Sequence, residues 1–364
     1  MEQNEKRLKS LFPQVKTVDV KAARAAQRRL DSLIKPTGSL GRLEEMAVQV
    51  CGITGELYPE IHRRSLLIMA ADNGVVAQGV AGAPQSVTLS QTKNLALGVA
   101  GAAVLARQFS ADLVVVDVGV DTDEVMQGVL DRKIRRSTGD ISQEAAMTRE
   151  QACAAILVGV ETAHEAYEQG SRLLGAGEMG IGNTTTAAAV LCGLTGLAPR
   201  QTVGFGAGLT QEGYQNKISV VEKALAFHKA HSNDPLEVLS KLGGLDIAAM
   251  AGIYLGGAIT GCPVVVDGFI SAVAALVACR LEPAIRLFLL ASHRSAEPGF
   301  RWVIEEMGLE PPLDLGMRLG EGSGCPLLFA LLDGAFAAMR EMASFQEAGM
   351  DEEYQKPLAF AAKE

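Results

Sequence analysis

The chain has 364 residues, 48% of them hydrophobic, and a formal net charge of -9 at pH 7. This composition can bury a large core, and its acidic balance argues against a nucleic-acid partner, which requires clustered Lys and Arg. Apolar runs such as 113–116 and 287–290 are far shorter than the roughly 20 residues of a membrane helix, and the charged N-terminus lacks the apolar segment of a signal peptide. The sequence therefore predicts a cytoplasmic protein that binds neither nucleic acid nor membrane.

Metal-binding patterns are missing from the sequence. Its six cysteines and five histidines are scattered, and no two cysteines form a C-x-x-C pair. We therefore predict no metal site and no cofactor. One basic cluster occurs, RKIRR at 132–136, and it is interpreted as a solvated loop.

Both ends of the chain carry helical periodicity, over 20–57 and 325–345, whereas the middle alternates short apolar runs with Ala-rich stretches. That alternation is typical of an α/β fold with a parallel sheet. We predict a parallel Rossmann-like sheet flanked by helices over 61–324, and a smaller helical domain formed by 1–60 together with 325–364. The predicted strands are SLLIMAAD (65–72), LVVVDVGVD (113–121), TVGFGAG (202–208), PVVVDGF (263–269) and RLFLLASH (286–293).

Polar residues end most of these predicted strands. In an open parallel sheet the ligand crevice lies beyond the carboxyl ends of the strands, so these residues are candidates for the site. They are Asp72, Asn73, Asp117, Gly206, Asp267, Ser292 and His293.

The most glycine-dense stretch, LLGAGEMGIGNTTTAAAV at 173–190, contains G-x-G-x-x-G. A dinucleotide fingerprint requires a strand just before it, but HEAYEQGSRLL at 164–174 is interpreted as a helix, which disfavours a dinucleotide-dependent oxidoreductase. The segment 182–186, with its bare backbone N–H groups and hydroxyls, suits either a phosphate or an ordinary helix cap.

Three further segments carry candidate residues. Lys217 follows the glycine-rich loop VGFGAGLTQEG and is either a phosphate ligand or a surface lysine. Glu321 lies between Gly320 and Gly322 before an apolar helix, whose N-terminus would favour the ionised carboxylate that a general base needs; a solvated loop glutamate is the alternative. SHRSAEPG at 292–299 is interpreted as a binding loop, since no G-x-S-x-G elbow accompanies its Ser-His pair.

Six segments, in this order, resemble the nicotinate-nucleotide:dimethylbenzimidazole phosphoribosyltransferase family. They are KPTGSLGRLE (35–44), ADNGV (71–75), PQSVT (84–88), GEMGIGNTT (177–185), ASHRSAEPG (291–299) and LGEGSG (319–324). The resemblance implies a large α/β domain with a helical domain from both chain ends. It also implies transfer of the ribose 5-phosphate of nicotinate mononucleotide to an aromatic base, for cobamide (vitamin B12) assembly, by a homodimer.

The same resemblance assigns roles to individual residues. Glu321 would be the catalytic base, taking the proton from an azole N–H as the other nitrogen attacks the anomeric carbon with inversion. Nucleotide and phosphate binding would fall to Gly180, Gly182, Asn183, Thr184, Gly206, Gly208, Lys217 and Ser292. The base pocket would be formed by Ala83, Pro84, Ser86, Gln91, Met179 and Leu319.

The chain departs from the family pattern at several positions. Phe205 and Ala207 stand where the family usually has Arg and Thr, and Asp246 stands where Glu is usual. These departures leave two alternatives: a paralogue that works with a second subunit to attach a phenolic base, and a non-catalytic partner subunit. The presence of Glu321 argues against the second.

Overall fold

The computed structural model describes residues 3–206, 208–230 and 233–351. Its centre is a six-stranded sheet in which every pairing is parallel, with the strand order β3-β2-β1-β4-β5-β6. The strands are β1 Arg64–Ala71, β2 Asp112–Gly119, β3 Val129–Asp131, β4 Leu173–Met179, β5 Val264–Val266 and β6 Leu289–Ala291. The order reverses between β1 and β4, which is where an open α/β sheet forms its ligand crevice. The predicted fold class is confirmed.

Helices cover both faces of the sheet. They are α1 Gln3–Lys9, α2 Val20–Asp31, α3 Arg42–Thr54, α4 Ser86–Ala96, α5 Gly101–Gln108, α6 Arg149–Glu168, α7 Asn183–Thr195, α8 Pro199–Thr202, α9 Gln211–His228, α10 Pro235–Leu242, α11 Leu245–Thr260, α12 Phe269–Leu281, α13 Phe300–Met307 and α14 Cys325–Glu341. Local sequence explains several of their ends: the Asp19 carboxylate caps α2, and Thr148 with Gln151 forms a capping box on α6.

Alternate residues of the strands other than β3 belong to two different apolar clusters. Leu67 and Met69 of β1 face a cluster that includes α6, α7, α11 and α12, whereas Leu66 and Ile68 face a cluster that includes α3, α5 and α14. A strand that is buried on both faces reads as a continuous apolar run, which is why β1 could be predicted from the sequence.

Two predicted elements are wrong. TVGFGAG is not a strand: the helix α8 ends at Thr202, and the described residues from Val203 to Gly206 form a loop. The predicted helix over 164–174 ends at Glu168, and β4 begins at Leu173. Gly175 and Gly177 therefore lie inside a strand instead of in the turn that follows one, so the dinucleotide fingerprint is not formed.

Helices from both chain ends pack together, since α3 contacts both α2 and α14. These helices share their apolar cluster with one face of the sheet. α1 packs instead against α6, where Arg149 bonds the Glu5 carboxylate at 2.9 Å. The division into domains 1–60 plus 325–364 and 61–324 stays a prediction. No helix in the described part of the chain is long and apolar enough to cross a membrane.

Candidate active site

A cavity of about 300 Å³ lies beyond the carboxyl ends of β4 and β5, next to the point where the strand order reverses. Its walls come from α4, the β4–α7 turn, the loops after β5 and β6, and the loop before α14. Predicted site residues that line it are Ala83, Gln91, Met179, Gly180, Asn183, Thr184, Gly206, Asp267, His293, Leu319 and Glu321. Other residues lining it include Glu178, Ile181, Glu297 and Arg318.

Glu321 is held in the cavity wall by three hydrogen bonds. It is only 5% exposed; its Oε1 accepts from Gln91 Nε2 at 2.6 Å and its Oε2 from the backbone N–H of Ala102 at 3.2 Å. Its own N–H donates to Glu178 Oε1 at 3.3 Å. Ala102 lies in the first turn of α5, so the helix N-terminus that contacts the Glu321 carboxylate belongs to α5.

The sequence interpretation missed a buried network behind the cavity. The Asn183 amide nitrogen donates to Glu178 Oε2 and, at 3.0 Å, to Asp246 Oδ2. Burial raises the pKa of Glu178 to about 8, reinforced by the charge of Asp246, and burial raises the pKa of Asp246 to about 6. Asn183, which was expected to bind phosphate, here uses its side chain to join two carboxyl groups.

These raised pKa values predict how stability depends on pH. Glu178 and Asp246 stay protonated in the folded chain at pH values where the unfolded chain ionises them, near pH 4. The folded state thus holds more protons, and the free energy of unfolding should fall as pH rises from about 5 to 8. Glu178→Gln should flatten that slope by up to about 1.4 kcal/mol per pH unit. Urea unfolding at several pH values measures the slope. Glu165→Gln is the control, because Glu165 lies at the surface, where it pairs with Arg132; it should leave the slope unchanged. An unchanged slope in Glu178→Gln would contradict this prediction.

The predicted phosphate region lies at the N-terminus of α7. Gly182 adopts φ 91°, and Lys217 is fully buried, with its ammonium group 2.8 Å from Thr184 Oγ1 and 3.1 Å from the Gly204 carbonyl oxygen. Burial lowers the pKa of Lys217 to about 8. Lys217 is therefore not a surface lysine, and it reaches the cavity through Thr184. Gly208, also with a positive φ, lies on the exposed outer part of the loop.

Glu297 occupies part of this region. Its Oε1 accepts from the backbone N–H of Gly206 at 3.2 Å, so one loop amide that could contact a phosphate is already bonded to a carboxylate. Phe205 stacks on Tyr214 of α9, with ring centroids 4.5 Å apart, which anchors the loop without the arginine usual at this position. Ala207 lies outside the described residues.

The other predicted residues differ in their distance from the cavity. Ser292 is fully buried, and its hydroxyl lies 2.9 Å from His293 Nδ1, which places it behind His293 instead of in the wall. Pro84, just before α4, and Ser86, its first residue, are both exposed and lie outside the cavity lining, although Ala83 and Gln91 on either side line it. Met179 and Leu319 line the cavity with apolar side chains.

Comparison with known proteins identifies the family. A family model described as phosphoribosyltransferase matches residues 15–350. The nicotinate-nucleotide–dimethylbenzimidazole phosphoribosyltransferase of Clostridium perfringens is 49% identical over 329 residues, which cover 90% of this chain and 91% of that protein. Its counterpart in Ruminiclostridium cellulolyticum is 50% identical over 344 residues, covering 94% and 97%. The chain belongs to the nicotinate-nucleotide–dimethylbenzimidazole phosphoribosyltransferase family.

A solved structure of this phosphoribosyltransferase family supports the same conclusion. The crystal structure of the Thermus thermophilus enzyme superposes with a TM-score of 0.86 at 42% identity, covering 92% of this chain and 99% of that one. The resemblance inferred from the six motifs is confirmed, and the chain is a phosphoribosyltransferase.

Proposed function

We propose that this phosphoribosyltransferase moves the 5-phosphoribosyl group of nicotinate mononucleotide to 5,6-dimethylbenzimidazole or a related lower-ligand base, for cobamide (vitamin B12) assembly. The products are nicotinate and the α-ribotide. The observation that carries the proposal is Glu321, a carboxylate that is buried in the cavity wall and oriented by Gln91 and Ala102. The names of the relatives in Clostridium perfringens and Ruminiclostridium cellulolyticum support the choice of substrates.

In the proposed reaction one azole nitrogen attacks the anomeric carbon of the ribose. The new C–N bond forms as the bond to the nicotinate nitrogen breaks, and the bonding electrons neutralise the pyridinium ring. The proton on the other azole nitrogen passes to the Glu321 carboxylate. The leaving group already carries the positive charge that makes it labile, so the base and the alignment of the two substrates supply the catalysis.

The cavity divides into two regions that match the two substrates. Met179, Ile181 and Leu319 form an apolar surface next to Glu321, which suits the flat ring of the acceptor. Thr184 and Gly206 lie above the buried ammonium group of Lys217, which suits the phosphate. Ser292 would act through His293 on the nicotinate end.

The purified single chain tests this function when it is incubated with nicotinate mononucleotide and either 5,6-dimethylbenzimidazole or phenol. We expect nicotinate release that depends on dimethylbenzimidazole, with one ribotide per nicotinate in the chromatogram. Turnover with phenol alone would identify the alternative phenolic acceptor. A folded chain that is inactive with both acceptors would contradict the proposal and favour a heterodimer with a paralogous chain.

We also propose that the enzyme acts in the cytoplasm as a homodimer. Light scattering on the purified chain measures its mass in solution, and twice the 38.3 kDa of one chain is expected. A chain that stays monomeric at the concentration of the assay would contradict the dimer.

A further inference from the structure

The loop that carries Glu321 has an unusual backbone. Gly320, Glu321 and Gly322 have φ values of 83°, 60° and 79°, so three consecutive residues occupy the left-handed region. A residue with a Cβ, such as Glu321, is strained in that conformation, because its Cβ crowds the neighbouring carbonyl oxygen. The conformation persists only where the surrounding structure holds it in place.

Two buried carboxyl groups hold this loop. The N–H of Glu321 donates to Glu178, as described above, while Gly322 N donates to Asp267 Oδ2 at 3.2 Å and Gly324 N to Asp267 Oδ1 at 2.7 Å. A run of backbone N–H groups in such turns forms a concave site for acceptor oxygens, and here the chain's own carboxyl oxygens fill it.

Asp267 is well placed to fix the loop. It follows β5 directly, is 3% exposed, and both of its carboxyl oxygens accept from loop N–H groups. His293 Nδ1 lies 3.8 Å from its Oδ1 on the other side. The loop is also tightly packed on that side, because a Cβ added to Gly324 would come within 2.1 Å of His293 Nδ1.

We propose that Asp267 is a positioning residue, which fixes the 320–324 loop and thereby the Glu321 carboxylate, and that it affects turnover only through Glu321. The inference rests on the proposed function. A base displaced by about 1 Å can lose about 10²-fold in rate, so Asp267→Asn, which weakens the acceptor for Gly322 or Gly324, should lower kcat by roughly 10- to 100-fold. The KM for nicotinate mononucleotide should stay within about twofold, since the loop does not form the proposed phosphate region.

A double-mutant cycle separates positioning from a general structural role. If Asp267 acts through Glu321, Asp267→Asn should change the residual activity of Glu321→Gln by less than about threefold. Asp117→Asn is the matched control. The Asp117 carboxylate, in β2, also accepts from two backbone N–H groups, of Gly119 at 3.0 Å and Val120 at 2.8 Å, but it holds a different loop. Asp117→Asn should therefore change kcat by the same factor in the wild-type chain and in Glu321→Gln.

The outcomes are distinct. A wild-type chain without turnover would overturn the proposed function and this inference together. If the wild-type chain turns over, and Asp267→Asn lowers kcat by the same factor in the wild-type chain and in Glu321→Gln, the positioning role alone is overturned. A raised KM with unchanged kcat would also overturn it, because Asp267 would then be a substrate contact. Should Asp267→Asn fail to fold, the same cycle is run with Asp267→Glu, which keeps the charge and shifts it by one methylene; intermediate kcat and the same non-additivity are expected.

Discussion

Replacing Glu321 with glutamine is expected to lower kcat for phosphoribosyl transfer by about 10²–10⁴ and to leave the fold intact. Glutamine keeps the size of the side chain and can still accept one of the two hydrogen bonds now made to Gln91 and Ala102. It cannot take the azole proton. Nicotinate release under saturating substrates measures kcat, and thermal unfolding measures the fold.

Glu310→Gln is the control for this prediction. It makes the same chemical change on the surface, where Glu310 lies 3.7 Å from Arg42, and it should keep wild-type kcat. A Glu321→Gln chain that is as active as wild type would show that the carboxylate is not the base, whatever its burial.

Lys217→Met is expected to raise the Kd of nicotinate mononucleotide by about 10- to 100-fold, because one hydrogen bond to a charged group is lost. Methionine fills the volume of the buried lysine stem, so the change is mainly the loss of the ammonium group next to Thr184. Because burial lowers the pKa of Lys217 to about 8, affinity for the nucleotide should also fall as pH rises through 8. Isothermal titration with the nucleotide at pH 7 and 9 measures both effects.

Lys223→Met is the matched control, since Lys223 lies on the exposed face of the same helix, α9. It should bind the nucleotide as the wild type does at both pH values. A Lys217→Met chain with lowered stability and unchanged affinity would contradict the phosphate role and make Lys217 a purely structural residue.

The sheet was predictable where side chains alone define a strand. β1 and β2 coincide with predicted runs to within two residues at either end, and β5 and β6 lie inside longer predicted runs, because residues buried on both faces are continuously apolar. β4 was missed because two of its seven residues are glycines, which do not favour strands locally. Its glycines are explained by packing: a Cβ at Gly177 would lie 2.7 Å from the Glu321 carbonyl oxygen. Contact with a loop so distant in the sequence cannot be seen in the local pattern.

The site was predictable in its main residues and not in how they are connected. Glycines on both sides of Glu321 indicated its loop. The buried carboxyl groups of Glu178 and Asp246 belong to β4 and α11, which come together only in the folded chain. Asn183 illustrates the limit. Its position at a helix N-terminus indicated a phosphate ligand, whereas its side chain bonds two carboxyl groups.

The configuration of the product tests the central claim most directly. Proton NMR of the ribotide formed from β-nicotinate mononucleotide and dimethylbenzimidazole identifies the configuration at the anomeric carbon. Direct attack by the acceptor, with Glu321 taking its proton, predicts the α-ribotide and one nicotinate released per product. A β-ribotide would contradict this mechanism, because two displacements would then be required, and the absence of any ribotide would contradict the proposed reaction itself.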